Sequence, residues 1–231
     1  MDFRVYHYGA RGVFDGTRPV YGTTSGLGWP MHYRYPPLFL LLFTPFAMLP
    51  LGFSAGIWVI AKIALLIWSV HALTARAAKF PTGYSILVPS LFMAFYLIEE
   101  LRYGNAQFFV LALTIAGLLC VSERPVLAGA SLALAISIKV WPLFFLPYLA
   151  VRREFKPVVF AFGFVFVLAL LPSFYFGLSE NFNLLGQWFA QETQTQLSQS
   201  EIWFPSQSIR GVLMDRSCTS TCFPSHMRTA R

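Results

Sequence analysis

The chain has 231 residues, of which 56% are hydrophobic and only 12% charged, where ordinary globular domains carry roughly 25% charged residues. That balance excludes a soluble core wrapped in a polar surface. The formal net charge is +7, but the basic residues are scattered through loops rather than clustered, which fits anchoring to anionic lipid and excludes a nucleic-acid partner.

Residues 1–35 are polar and aromatic, with glycine at positions 9, 12, 16, 22, 26 and 28. They read as an outer loop rather than a span. The start, Met1-Asp2-Phe3-Arg4, lacks the apolar run of a cleavable signal peptide. Residues 36–50 are apolar but carry Pro36, Pro37, Pro45 and Pro50, and read as a re-entrant or tilted segment too short for a crossing. Long apolar runs follow at 53–73, 84–98, 105–121, 126–151 and 157–178. A helix needs roughly 20 mainly apolar residues to cross a bilayer. The chain therefore reads as an all-α polytopic membrane protein, with residues 36–178 as its transmembrane helical region.

The run 126–151 contains a break, Ser137-Ile138-Lys139-Val140-Trp141-Pro142. Pro142 cannot donate to a helical ladder, and Lys139 is costly at membrane depth unless it faces water, a partner or a ligand. Two half-helices meeting at Lys139 satisfy both constraints. If 126–151 is a hairpin and 36–50 does not cross, Arg76, Lys79, Arg124, Arg152, Arg153 and Lys156 all fall in inner loops, as the positive-inside rule favours. Residues 1–35, the 99–107 loop, Lys139 and the segment after Leu178 then share the outer face. Residues 179–213 read as an outer loop with helical stretches such as 186–199, and residues 214–231 as an unstructured tail. Cys120 sits in a span as an apolar filler. Cys218 and Cys222 have no nearby histidine pair, so the spacing gives no metal cluster.

Polar clusters among the spans mark where chemistry could sit. Asp2-Phe3-Arg4-Val5-Tyr6-His7-Tyr8 puts an acid among aromatics, which suits stacking on a sugar and accepting a hydroxyl proton; an interfacial aromatic belt accounts for the same residues. Tyr33-Arg34-Tyr35-Pro36-Pro37 stiffens the entry to an apolar segment and could equally be a simple anchor. Glu99-Glu100-Leu101-Arg102-Tyr103-Gly104-Asn105-Ala106-Gln107 crowds acids, an arginine and two amides into one loop. Amides bond hydroxyls in both directions, although Asn105 could instead cap the next helix. Lys139 suits the phosphate of a lipid substrate, or could snorkel. Gln207-Ser208-Ile209-Arg210-Gly211 offers an amide and a guanidinium. Lys62 and His71 read as packing or interfacial residues, and His7 and His32 have no partner spacing that supports a proton role.

Taken in order, these clusters resemble glycosyltransferase family 87, the polyprenyl-phosphate-mannose-dependent mannosyltransferases of the membrane-bound GT-C superfamily. The carrying residues are Asp2-Phe3-x-Val5-Tyr6, Tyr35-Pro36-Pro37-Leu38, Gly104-Asn105-x-Gln107, Ala135-x-x-Ile138-Lys139-x-x-Pro142 and Gln207-Ser208-x-Arg210-Gly211. The resemblance implies a partial GT-C-type helical bundle with an outer catalytic-side loop, multi-pass in the cell (plasma or inner) membrane and active on its outer face. It implies inverting transfer of a hexose, mannose by the family's pattern, from a polyprenyl phosphate sugar to an envelope glycolipid or glycan. Asp2 would be the catalytic base, with Tyr6, Tyr35, Asn105, Gln107, Lys139, Gln207 and Arg210 binding substrate. No metal and no cofactor are implied, because the lipid-linked sugar is itself a substrate. Two departures stand out. The family carries a transmembrane helix before its acidic loop and further spans after the last motif. The chain accordingly reads as an N- and C-terminally incomplete member, with a tail that reads as truncated or frame-shifted and an activity that depends on the missing parts. A transporter or flippase segment, or a non-catalytic remnant, are the competing expectations.

Overall fold

The computed structural model describes residues 2–16, 19–22, 32–76 and 84–197. Gln207, Arg210, Cys218, Cys222 and the 214–231 tail lie outside the described residues. The chain divides into two units, Met1–Gln191 and Glu192–Arg231, and the packing that builds the site belongs to the first.

The first helix, α1 (Asp2–Phe14), corrects the reading of residues 1–35 as a loop. Its glycines argue against a helix by propensity, at about 1 kcal/mol each. The buried residues Phe3, Tyr6, His7 and Ala10 nevertheless fall at i, i+3, i+4 and i+7, one face of a helix, and tertiary packing of that face outweighs the local cost. Gly9 has a reason of its own: a Cβ there would meet the Tyr33 ring at 3.1 Å. Helix α2 (Pro37–Ala47) begins with proline at its first turn, where the missing N–H costs nothing. Eleven residues rise only about 16 Å, so this segment is too short to cross, as its prolines indicated. Tyr6 meets Phe39 and Phe43 edge-on at 5.1 and 5.6 Å, locking α1 onto α2.

Helix α3 (Leu51–Arg76) has 26 residues, about 39 Å. Its pattern is inverted relative to a soluble helix. The buried residues are Ser54, Trp58, Lys62 and Ser69, while Phe53, Ile60 and Ile67 are more than 60% exposed. A helix that hides its polar face and exposes its apolar one is solvated by lipid. Along with the helical pair Phe155–Phe176, α3 is long and apolar enough to span a membrane. Helix α4 runs Tyr84–Tyr103. Helix α5 (Gln107–Leu119) has 13 residues, about 20 Å, so the run 105–121 yields a shorter helix than the bilayer core is thick.

Helix α6 (Pro125–Ile138) ends at Lys139, whose backbone is extended (φ −142°, ψ 137°). A 3₁₀ turn, Trp141–Phe144, then leads into α7 (Phe145–Val151). The expected pair of half-helices meeting at Lys139 is present. Helices α8 (Phe155–Leu170), α9 (Ser173–Phe176) and α10 (Leu178–Leu197) follow; α10 begins eight residues ahead of the stretch expected from sequence. Residues 2–197 contain no strand among those described.

Small residues let α6 approach its neighbours. A Cβ on Gly129 would lie 2.5 Å from Phe160 Cβ and 2.8 Å from the Ala161 backbone nitrogen, and one on Gly117 would lie 2.8 Å from Leu132 Cγ. Close backbone approach through small residues is the usual currency of helix association in lipid. Gly129→Val is expected to force α6 from α8 and destabilise the fold by about 2–3 kcal/mol, read as a lowered melting temperature in detergent. A variant that melts with the native protein would place the α6–α8 contact elsewhere.

Candidate functional site

The polar side chains kept among the apolar helices converge where α6 breaks. The Lys139 ammonium donates to Gln107 Oε1 at 2.9 Å and lies 5.9 Å from the centre of the Tyr35 ring. Tyr35 accepts from the Tyr6 hydroxyl at 2.7 Å. Asp2, in the first turn of α1, is within electrostatic reach of both Lys139 and Lys62. Residues 2, 6, 35, 105, 107 and 139, drawn from separate segments, thus occupy one neighbourhood.

The loop between α4 and α5 is held rigidly. Gly104 adopts φ +71° and packs so tightly on Phe3 that a Cβ would come within 2.9 Å of Phe3 Cβ. Its carbonyl accepts from Trp58 Nε1 at 2.9 Å. Asn105 fills the helix-start role that its sequence position allowed and is also tied to Glu100. Its Oδ1 accepts from the Gln107 backbone N–H at 2.8 Å, a capping bond at the start of α5, and its Nδ2 donates to Glu100 Oε2 at 2.6 Å. The cap fixes the backbone of Gln107, and Gln107 in turn holds Lys139.

Lys62 is corrected. The sequence reading made it a packing or interfacial residue, but it is wholly buried. Its Nζ donates to the Glu100 carbonyl at 2.5 Å, lies 3.2 Å from Glu100 Oε1 and sits 5.2 Å from the Phe108 ring centre. The Oε1 contact is one of charge rather than an aligned hydrogen bond. An unbroken chain therefore runs from Lys62 to Glu100, Asn105, Gln107 and Lys139. The available signal was the lysine itself, mid-way along an apolar run, where an ionisable residue marks a partner or a site by default. His7 is structural: its Nε2 lies 3.0 Å from the Leu49 carbonyl, so it carries the proton and ties α1 to the turn after α2.

Burial raises the Asp2 carboxyl above its ordinary value, with Lys139 and Lys62 pulling the other way. Burial likewise pushes the Tyr35 hydroxyl up to about 12 and Tyr6 well above its ordinary value. Both tyrosines are neutral donors at neutral pH; the carboxylates of the cluster are Asp2 and Glu100, and Glu100 is already engaged by Asn105 and Lys62. Two further donors stand in segments that the sequence marked without assigning them a role of their own: Trp141 Nε1 and the Tyr33 hydroxyl are buried with no hydrogen-bond partner among the described residues. Beside the polar cluster lies an apolar cavity of about 500 Å³, lined by Phe39, Phe43, Trp58, Phe109, Leu134 and Ile138. Phe39 stacks on Tyr35 at 4.6 Å, and Ile138 directly precedes Lys139, so the cavity opens beside the charged end of the cluster.

An all-α membrane protein with a buried polar cluster at a helix break, beside an apolar cavity, is what these helices define. The chain belongs to glycosyltransferase family 87, whose profile matches residues 33–225. Two curated relatives are similar to it. A polyprenol-phosphate-mannose-dependent alpha-(1-2)-phosphatidylinositol mannoside mannosyltransferase of Mycobacterium tuberculosis is 29% identical over 191 residues, covering 74% of this chain and 44% of the relative. The protein of that description from Mycolicibacterium smegmatis is 29% identical over 176 residues, covering 67% of this chain and 39% of the relative. The chain spans less than half the length of the curated relatives it matches. No solved structure matches it. The family match begins at residue 33, so Asp2 and Tyr6 lie ahead of it, and their place in the site rests on the packing of α1.

Proposed function

We propose that this chain carries the donor side of a mannosyl transfer from a polyprenyl phosphate mannose to an inositol-lipid acceptor, on the outer face of the cell membrane. The observation that carries the reading is the meeting of Lys139, Gln107, Tyr35 and Asp2 at the broken helix, inside a family of glycosyltransferases. In this reading Lys139 neutralises the donor phosphate, because a lipid phosphate leaves by charge stabilisation and needs no proton. Trp141 Nε1 and the Tyr33 hydroxyl offer donors to phosphate or sugar oxygens. The polyprenyl tail lies in the apolar cavity beside Ile138. Asp2 takes the proton of the acceptor hydroxyl, whose oxygen attacks the anomeric carbon from the face opposite the phosphate. The new C–O bond forms as the bond to phosphate breaks, so the configuration inverts and polyprenyl phosphate departs. Asn105 and Gln107 orient the loop and the lysine. The reaction assigned to Asp2 and Lys139 calls for no metal or cofactor.

Lys139→Met tests the donor assignment. Loss of one charge-assisted contact to phosphate, worth about 1.5–3 kcal/mol, is expected to weaken polyprenyl phosphate binding by roughly 10- to 100-fold, measured by native mass spectrometry of the protein released from lipid nanodiscs. Unchanged affinity would remove Lys139 from the donor site. A broken helix is also how secondary transporters present a midplane site. Lipid flux in proteoliposomes without any mannosyl product would favour that second reading over transfer.

A further inference from the structure

A second cleft, of about 270 Å³, lies against the other cavity's wall residue Trp58. Its floor is apolar, made by Leu51, Ala55 and Val59 of α3, and its rim carries two arginines from different helices, Arg4 of α1 and Arg102 of α4. The juxtaposition is built in. Phe3 seats against the Cβ-less Gly104, which brings the residue after Phe3 and the last turn of α4 to one mouth. Among the described residues Arg102 is held by an exposed pair with Glu99 at 3.3 Å, of the kind worth little in water. Arg4 makes no hydrogen bond or ion pair among the described residues. Neither guanidinium has a role in the donor chemistry above.

We propose that this cleft binds an anionic glycerophospholipid, its phosphodiester clamped between Arg4 and Arg102 and the start of its acyl region on the Leu51–Ala55–Val59 floor. Guanidinium groups match phosphate oxygens with paired N–H donors, and an apolar floor beneath two cations fits an amphiphile better than a soluble anion. The assignment rests on the mannosyl-transfer reading in one respect only: such a lipid is the class to which an inositol-lipid acceptor belongs. Asp2 and Arg4 share the first turn of α1 but point about 200° apart around its axis, so the cleft lies at the same end of α1 as the proposed base without facing it.

The test uses the full chain in nanodiscs with phosphatidylinositol, phosphatidylglycerol or phosphatidylcholine, read by native mass spectrometry. The native protein is expected to retain either anionic lipid about tenfold or more over phosphatidylcholine. The double variant R4Q/R102Q is expected to lose that preference, since both charge-assisted contacts to the phosphodiester are removed. Soluble glycerophosphoinositol, which lacks tails, is expected to compete poorly. A preference unchanged by the double variant, no preference at all, or equal competition by the soluble headgroup would each overturn the proposal. Polyprenyl phosphate binding is measured in parallel. It is expected to survive in R4Q/R102Q, which shows the variant is folded; its absence from the native protein would count against the donor reading instead and leave the phospholipid result standing by itself.

Discussion

Asp2→Asn is expected to lower mannosyl transfer by about 10²- to 10⁴-fold, the usual contribution of a positioned general base, while membrane insertion and polyprenyl phosphate binding persist. The substitution keeps the shape of the side chain and removes its negative charge, and with it the capacity to take a proton. The pH dependence follows from burial. Because desolvation holds the Asp2 carboxyl above its ordinary value of 3.8, with Lys139 and Lys62 opposing, transfer should rise with pH as the carboxyl ionises through that raised value. Stability should move the other way. The folded state holds this proton more tightly than the unfolded chain, so stability contributed by the protonated form is lost as pH climbs from 3.8 through the raised value. Asp2→Asn removes that loss, and the variant should melt no lower than the native protein at neutral pH. Labelled mannose transfer in membranes, alongside thermal melting, measures both. Full transfer by the variant would sink the role given to Asp2; a fall in melting temperature would mean the carboxylate is a structural anchor.

Lys62→Met should produce the largest loss of stability, about 3–5 kcal/mol, the cost of breaking a buried pair and stranding its partner charge. The Lys62 side chain is fully buried and that of Glu100 is only 16% exposed, so water cannot replace either partner. Glu100→Gln should cost less, because the Glu100 carbonyl still receives the ammonium. The double variant Lys62→Met/Glu100→Gln should recover part of the loss, since neither charge is then stranded. Melting in detergent micelles reads all of these. Single variants within about 0.5 kcal/mol of native, the range of ordinary surface substitutions, would show that the pair is not what holds the 99–107 loop.

The membrane class, the short proline-rich α2 and the break at Lys139 were legible because each follows from local chemistry: long apolar runs, a missing N–H, a charge where lipid forbids one. The helix-start role of Asn105 was one of the two readings its position offered, since an asparagine ahead of an apolar run can satisfy the first free N–H groups. Helix α1 was not. Its glycines carry a loop signature, and its apolar face becomes visible only once α2 is there to bury it.

What the sequence determined by itself was composition-level solvent choice and the list of polar residues that lipid would not tolerate without a partner. Which of those residues meet was decided by the tertiary structure. In a soluble helix the apolar stripe reports which side faces inward. Here α6 is apolar on lipid-facing and core-facing sides alike, so hydrophobic periodicity is silent about rotation around its axis. That rotation is set instead by steric contacts, Gly129 on Phe160, Gly117 on Leu132 and Gly104 on Phe3. Those contacts bring Gln107 to Lys139 and place Asp2 near it, while α3 turns its own polar stripe inward and sets Lys62 on Glu100.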